Sequence, residues 1–358
     1  MLTNQDHRYL DACLRYALRH RGRTGTNPSV GTLIVKDDIV IGKGITALGG
    51  RPHAERIAID QAGGDARGAT AYVSLEPCAH HGATPPCAAG LIDAGIVRVV
   101  TAWTDPDHRV DGKGHEMLRQ AGIDVVVDQK PNSAPHDLAG YLNRKLRERP
   151  QVTLKLAVSA DGKLGLPGRE VPITGPLSRS VVHRLRAEHD AILVGRGTCE
   201  ADDPQLTCRL AGLEDRSPHR FVLDSQASLS ADSKLAQSAA ITPVALVSSV
   251  EALPEPLAEL GVTLFAAESH GGQLALPEFL EDLANAGFSS LMVEGGAEVA
   301  SSFLDQGLVD EIWLFSSDKT VGEAGIVSPV TPNDLPQGFK VSRTLQLADD
   351  RLEILSRN

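Results

Sequence analysis

The reading of the fold turns on residues 52–87: Pro52-His53-Ala54-Glu55-Arg56-Ile57-Ala58-Ile59, the strand-like Ala71-Tyr72-Val73-Ser74-Leu75, and Pro77-Cys78-Ala79-His80-His81-Gly82-Ala83-Thr84-Pro85-Pro86-Cys87. One imidazole and two thiolates form a three-ligand set for zinc, with the fourth tetrahedral position left open for water. Pro52 and the run after it put His53 and Glu55 at a helix start, where free N–H groups and the positive end of the helix dipole face the metal. Pro86 likewise predicts that a helix begins at Cys87. Two plainer readings stand beside this one. A structural zinc would want a fourth protein ligand, for which His80, His81 and Asp93 are available, and isolated cysteines are often just small buried hydrophobes.

His-x-Glu followed by Pro-Cys and a further Cys is the signature of zinc-dependent nucleobase deaminases. In that chemistry zinc lowers the pKa of a bound water to about 7. Glu55 then takes the water proton, gives it to a ring nitrogen, and protonates the departing amine. His53, Cys78 and Cys87 are the metal ligands in this reading and Glu55 the catalytic carboxylate. Most such sites space their cysteines Cys-x-x-Cys. Here a long loop separates Cys78 from Cys87.

Outward from this stretch, Tyr9, Leu10, Cys13, Leu14, Ala17 and Leu18 recur at helical spacing, which predicts an opening amphipathic helix with Cys13 in the core. The turn Asn27-Pro28 enters a strand at 32–35, and Asn27 is either turn punctuation or a substrate contact. A partner strand is predicted at 38–45, then after the metal stretch a strand at 96–102, a helix at 114–121 and a strand at 123–127. The turn-rich Pro131-Asn132-Ser133-Ala134-Pro135 and a short basic helix at 137–147 read as a connection. The pattern restarts with a strand at 152–158, followed by strands at 191–194, 220–223, 244–247, 262–265, 291–293 and 312–315. Helices are predicted at 177–188, 277–286 and 297–306, and a closing hairpin at 339–345 and 351–355. Strands alternating with helices predict two α/β domains, 1–147 and 148–358, with no internal repeat.

Composition narrows the classes. The chain has 358 residues, 42% hydrophobic and 23% charged, as in a globular protein. It has no apolar run near the 18 or so residues a membrane helix needs, and its polar start is unlike a signal peptide. Five cysteines do not read as a disulfide framework, so the cytoplasm is the expected compartment. A net charge of −11 argues against broad nucleic-acid binding, although a local basic patch can still serve a phosphorylated small molecule.

The second half has no Gly-x-Gly-x-x-Gly after a strand. It does have Val293-Glu294-Gly295-Gly296 and Gly195-Arg196-Gly197-Thr198, each at the end of a predicted strand. Such turns are either merely tight or let a phosphate approach a helix N-terminus.

Several of these motifs resemble one family. Thr26-Asn27-Pro28-Ser29-Val30-Gly31, His53-Ala54-Glu55, Leu75-Glu76-Pro77-Cys78-Ala79-His80, Gly82-Ala83-Thr84-Pro85-Pro86-Cys87, and Asp105-Pro106 with Val110-Asp111-Gly112-Lys113-Gly114 look like the bifunctional riboflavin-biosynthesis deaminase/reductases. Lys155-Leu156-Ala157-x-Ser159-x-Asp161-Gly162, Leu185-Arg186-Ala187 and Asp202-Asp203-Pro204-x-Leu206-Thr207-x-Arg209 resemble that family's reductase half, so nearly the whole chain is covered. The resemblance implies a cytidine-deaminase-like three-layer α/β/α domain followed by a dihydrofolate-reductase-like α/β domain. It implies a phosphorylated diaminopyrimidine substrate, zinc and NADPH, and homo-oligomers formed through the reductase domain.

By position, the resemblance puts Ala157, Thr198, Asp202, Ser225 and the run Gly296, Ala297, Glu298, Val299, Ala300, Ser301 and Ser302 against the cofactor, with Asp202 also catalytic. It puts Asn27, Arg186, Leu206, Arg209 and Glu294 against substrate. Arg186 and Arg209 suit bidentate recognition of a 5′-phosphate. In one place the chain departs from the family, with Glu170-Val171-Pro172-Ile173-Thr174 where Ser-x-Trp-Ile-Thr is common. Cys199 and Cys208 read as structural. Two competing functions are a deaminase with a non-catalytic binding or oligomerisation module, and a nucleic-acid-editing deaminase. Net acidity and the long Cys78–Cys87 loop count against the latter.

Overall fold

In the computed structural model the chain opens with α1 (Asn4–Ala17), entered through a capping box in which Asp6 N donates to Thr3 Oγ1 at 3.1 Å and Thr3 N donates to Asp6 Oδ2 at 2.8 Å. The structure describes residues 2–81, 85–128, 138–169, 171–271 and 273–357. Gly82-Ala83-Thr84 of the cysteine loop, the Pro131–Pro135 turn, Asp137 and Glu170 lie outside the described residues. The chain divides into two units, Met1–Arg149 and Pro150–Asn358.

In the first unit the elements after α1 are β1 (Gly31–Lys36), β2 (Ile39–Ile45), α2 (Ala54–Ala62), β3 (Thr70–Val73), α3 (Cys87–Asp93), β4 (Arg98–Thr101), α4 (Lys113–Gln120), β5 (Asp124–Val127) and α5 (Ala139–Leu146). The strands form a sheet in the order β2-β1-β3-β4-β5, with β1 antiparallel to both neighbours and β3, β4 and β5 parallel. Neighbouring residues alternate between its faces, as strand geometry requires. Ile34, Ala71 and Val99 pack with Ala58 of α2, Ala88 of α3 and Leu118 of α4, while Leu33, Tyr72 and Val100 pack with Leu10 and Cys13 of α1. The result is the three-layer α/β/α sandwich expected. Cys13 is fully buried, as predicted, and β3 ends at Val73, before the predicted Leu75.

In the second unit come β6 (Gln151–Val158), α6 (Pro176–Ala187), β7 (Ala191–Gly195), α7 (Arg196–Asp202), β8 (His219–Leu223), α8 (Lys234–Gln237), β9 (Val244–Ser248), α9 (Glu255–Glu259) and β10 (Thr263–Ala266). They are followed by the short pair β11 (Ser269–His270) and β12 (Gln273–Leu274), then α10 (Leu276–Asn285), β13 (Ser290–Val293), α11 (Ala297–Asp305), β14 (Glu311–Ser316), β15 (Phe339–Leu347) and β16 (Asp350–Arg357). The main sheet has the order β10-β9-β8-β7-β13-β6-β14-β16-β15. It is parallel from β10 to β14 and closes with the antiparallel β15–β16 pair. Both faces are covered, so central strands such as Ala191-Ile192-Leu193-Val194 are buried throughout and show no alternation. No helix among the described residues is long and apolar enough to cross a membrane.

Candidate active sites

The metal stretch is positioned by α2 lying directly on β2. Gly42 and Gly44 share one face of that strand, and a Cβ on either would run into the carbonyl of Ala58 or Ala54. This close approach sets where α2 begins. His53 is its N-cap residue and Glu55 its second residue. On the facing side, Cys87 opens α3, and its N–H donates to Cys78 Sγ at 3.3 Å. Asn27 is half-buried and donates from Nδ2 to Gly50 O at 3.0 Å, which ties down the loop leading into α2.

His53 Nδ1 lies 3.7 Å from Cys78 Sγ and 3.3 Å from Cys87 Sγ, and the three ligand atoms lie within 4.8 Å of one another. A tetrahedral zinc with bonds of about 2.0–2.3 Å needs its ligand atoms about 3.3–3.8 Å apart. His53 Nε2 is buried with no hydrogen-bond partner among the described residues, so a neutral imidazole keeping its proton there turns the Nδ1 lone pair toward both sulfurs. The donor set fits zinc. The neighbouring Cys87 thiol and then His53 hold the Cys78 thiol down at about 4, while Cys78 and burial push Cys87 up. Burial and then the charge of Cys78 push Glu55 up to about 7. Glu55 is 4% exposed. His80, His81 and Asp93 are not part of the described cluster.

Behind the ligands, the Glu76 carboxylate is enclosed by backbone donors. Asp105 N and Gly112 N reach Oε2 at 3.1 and 2.9 Å, and Gly114 N and His115 N reach Oε1 at 2.8 and 3.2 Å. Glu76 thereby caps α4 and fixes the chain two residues before Cys78. Asp105 in turn accepts the Tyr141 hydroxyl at 2.9 Å, which joins α5 to the same frame. In the sequence Glu76 and Asp105-Pro106 stand only within family-like motifs, with no role attached. The available signal was an acid placed next to Pro-Cys. In a Glu76→Gln variant, an amide NH2 faces two of these N–H donors, which should cost about 2–3 kcal/mol. Thermal unfolding should show the first unit melting about 5–10 °C lower. An unchanged melting point would mean that the frame does not depend on this carboxylate.

In the second unit a cavity of 1280 Å³ lies at the carboxyl ends of β6, β7, β8 and β13. Ala157, Thr198, Asp202, Ser225, Gly296, Ala297, Glu298, Val299 and Ser302 line it, as do Arg186, Leu206, Arg209 and Glu294. Ala300 and Ser301 are not among its lining residues, and Ala300 is fully buried in the core. β7 and β13 are parallel neighbours, so α7 and α11 begin side by side, capped by Gly195 and Gly296. A Cβ on Gly295 would sit 2.6 Å from Val299 Cβ, and one on Gly296 would sit 3.6 Å from Thr198 Oγ1. Between the two turns the close approach is at Gly195, where a Cβ would sit 2.8 Å from Val299 Cγ2, and adjoining helix starts of this kind suit a dinucleotide diphosphate.

Glu294 takes both arms of one guanidinium. Arg186 Nε donates to Oε1 at 2.7 Å and Nη2 to Oε2 at 2.9 Å, while Nη1 donates to Thr207 O at 3.2 Å. The fork that suited a phosphate on sequence grounds is occupied by this carboxylate. Lys155 Nζ lies 3.9 Å from Glu294 Oε2, on the central strand β6. Alternation with Leu154 and Leu156 reads as a solvent-facing position, so only the family motif marked this lysine in the sequence. Burial pushes Glu294 up, but the charges of Arg186 and Lys155 outweigh it and hold the carboxyl at about 2. Asp203 and Leu206 have φ of 40° and 56°, so the chain turns sharply twice between Asp202 and Arg209. Val171 and Pro172 of the departing run also line the cavity, and Pro172 O accepts Lys319 Nζ at 2.7 Å.

Comparison with known proteins follows the same division. Residues 3–103 match the family model of the cytidine and deoxycytidylate deaminase zinc-binding region, and residues 150–353 match that of the RibD C-terminal domain. The riboflavin biosynthesis protein RibD of Aquifex aeolicus is 37% identical over 347 residues, covering 96% of this chain and 95% of its own. A solved RibD structure from Acinetobacter baumannii superposes with a TM-score of 0.87 at 34% identity, covering 99% of both chains. A diaminohydroxyphosphoribosylaminopyrimidine deaminase/5-amino-6-(5-phosphoribosylamino)uracil reductase from Thermotoga maritima gives a TM-score of 0.86 at 33% identity, covering 99% of this chain and 100% of its own. With a zinc-binding deaminase half, a reductase half and relatives matched along nearly its full length, the chain belongs to the RibD family of riboflavin biosynthesis proteins.

Proposed function

We propose that this chain catalyses two successive steps, hydrolytic deamination of 2,5-diamino-6-(5-phosphoribosylamino)pyrimidin-4(3H)-one and NADPH-dependent reduction of the product's ribosyl group to ribityl. The observation that carries this reading is the presence of two chemically different sites in one chain. One is the His53–Cys78–Cys87 convergence with buried Glu55, and the other is the glycine-lined cavity with its Glu294-centred ion cluster. The Thermotoga relative bears the names of both activities, and it aligns with this chain throughout.

For deamination, His53, Cys78 and Cys87 would hold a zinc ion, which would supply a water whose pKa is lowered to about 7. Glu55 handles the protons. Its burial raises the carboxyl above the ordinary carboxylate range, which suits a group that must both accept and return a proton. It takes one from the water and passes it to the ring nitrogen, then takes a second from the hydroxyl newly bonded to the ring carbon and gives it to the amine as the C–N bond breaks. Asn27 and the loop it ties to Gly50 flank the entry to α2, where we place the pyrimidine.

For reduction, NADPH supplies the hydride. The turns at Gly195 and Gly296 would hold its diphosphate, and Ala157, Thr198, Ser225 and the first turn of α11 would lie along the cofactor. Leu206, Arg209 and the Arg186–Glu294 pair position the substrate, and Asp202 on the cavity wall is the proposed catalytic carboxylate. We place the enzyme in the cytoplasm. Oligomerisation through this unit is supported by β15, a nine-residue strand at the end of the sheet order with a mostly exposed face.

Single substitutions should separate the two sites. Cys78→Ser and Cys87→Ser are each expected to lower bound zinc and abolish ammonia release, because a hydroxyl is a far poorer ligand than a thiolate. Both should still reduce the already deaminated intermediate. Asp202→Ala is expected to do the reverse, damaging NADPH oxidation severely while sparing ammonia release. Full zinc occupancy in both serine variants would overturn the metal assignment, and normal NADPH oxidation by Asp202→Ala would overturn that residue's role.

A further inference from the structure

Helix α6 presents Arg179, His183 and Arg186 at spacings of four and three residues, and all three line the cavity of the second unit. Their donors are committed differently. Arg186 has given its fork to Glu294 and a third donor to the Thr207 carbonyl, so its charge is balanced before any ligand arrives. Arg179 reaches the Thr174 carbonyl at 2.8 Å. The exposed Arg209 meets neutral acceptors, Gln205 Oε1 at 3.2 Å and Thr207 Oγ1 at 3.4 Å.

His183 Nδ1 lies 3.1 Å from Thr207 O and 3.3 Å from Arg209 N. No single protonation state satisfies both contacts. The carbonyl needs a proton on Nδ1, whereas the amide needs its lone pair. With Nδ1–H turned to Thr207, Nε2 becomes the position for a second proton, and it makes no hydrogen bond to the described residues.

We propose that His183 is a protonatable ligand, acting beside Arg209, for a phosphomonoester in this cavity, namely the 5′-phosphate of the pyrimidine substrate. The proposal rests on the reductase reading above. Arg186 and Arg179 share its helix, Arg209 faces it from the 203–213 segment, and Glu294 faces it from the end of β13. Burial and the charges of Arg186 and Arg209 hold the imidazole below its ordinary value, with the Thr207 carbonyl and Glu294 opposing them. A dianion seated between His183 and Arg209 reverses that balance, so the phosphate binds together with a proton. Two phosphomonoesters enter a reductase of this kind, the substrate 5′-phosphate and the 2′-phosphate of NADPH. The substrate is favoured because Leu206 and Arg209, which share the segment packed on His183, are its proposed contacts.

The test is steady-state reduction of the deaminated intermediate by the full chain and by His183→Gln, from about pH 6 to about pH 8.5. Each substrate is varied with the other saturating. In the parent protein, KM for the intermediate is expected to rise about tenfold across this range as His183 loses its proton. In His183→Gln it should start near the parent's high value and lack that rise. The change should fall on KM for the intermediate rather than on kcat or on KM for NADPH. Ionisation of the phosphate itself, near pH 6, runs in the opposite direction but is common to both proteins, so their difference isolates His183. The same pH course in both proteins would overturn the proposal, as would an effect confined to KM for NADPH. Arg209→Gln tests the underlying reading separately. An Arg209 effect without a His183 effect sinks only the proposal, whereas no effect of either on KM for the intermediate sinks the substrate placement as well.

Discussion

Replacing Glu55 by Gln is expected to lower ammonia release by about 10²–10⁴-fold while zinc stays bound. The carboxylate is buried, is the second residue of α2, and interacts with Cys78 and Cys87 without being one of the three converging ligands. The amide keeps the shape of the side chain but cannot carry a proton between water, ring and amine. Zinc content should match the parent protein, and reduction of the deaminated intermediate should be unchanged. Near-normal ammonia release from Glu55→Gln would mean that another group carries the protons.

The second large effect is expected at Arg186. Its guanidinium and the Glu294 carboxylate are 11% and 9% exposed, so Arg186→Met leaves a buried charge with Lys155, at 3.9 Å, as the cation nearest to it among the described salt bridges. Breaking such a pair should cost about 2–4 kcal/mol, well above what an exposed ion pair contributes. The second unit should melt about 5–10 °C lower and lose its reductase turnover. Arg186→Lys should restore only part of the stability, because an ammonium cannot reproduce the two-armed contact. The sign of the pH effect follows from Glu294, which is lowered from 4.5 to about 2 on folding. Its contribution is present above the unfolded value and is lost as pH falls toward the folded one. The gap between parent and Arg186→Met should therefore narrow in acid. Equal melting points at neutral pH would show that the pair behaves as a solvated surface bridge.

Much of this architecture was legible in the chain because its signals are local. Hydrophobic runs bounded by Gly and Pro placed β6 through β10, β13 and β14 to within a residue or two, and Pro86 marked the start of α3. The metal ligands were legible for the same reason, since His53-x-Glu55 and Pro77-Cys78 each sit within a few residues of one turn. Helix α7 was not foreseen. Arg196-Gly197-Thr198-Cys199 has little intrinsic helix preference, and its helix follows directly from the end of β7. The short helices α8 and α9 and the two-residue strands β11 and β12 are too brief to show any period.

Partners far apart in the chain were invisible for a different reason. Arg186 and Glu294 are separated by 108 residues, and the resemblance assigned both to substrate without revealing that they hold each other. The four backbone donors around Glu76 come from a segment 29 to 39 residues further on, and only the folded sheet brings them together. His183 carried no motif at all. Its significance lies in one nitrogen meeting both an acceptor and a donor, which no spacing rule encodes.

Whether one chain runs both reactions can be read by following ammonia and NADPH together. The purified zinc-loaded protein is given the diaminopyrimidine substrate with NADPH, and both signals are recorded in the same cuvette. Ammonia release should begin first, and NADPH oxidation should follow after a lag, approaching one equivalent per ammonia released. Without NADPH, ammonia should still appear and the deaminated ribosyl compound should accumulate. Stoichiometric ammonia with no NADPH oxidation, even when authentic deaminated intermediate is supplied, would show that the second unit is a non-catalytic module.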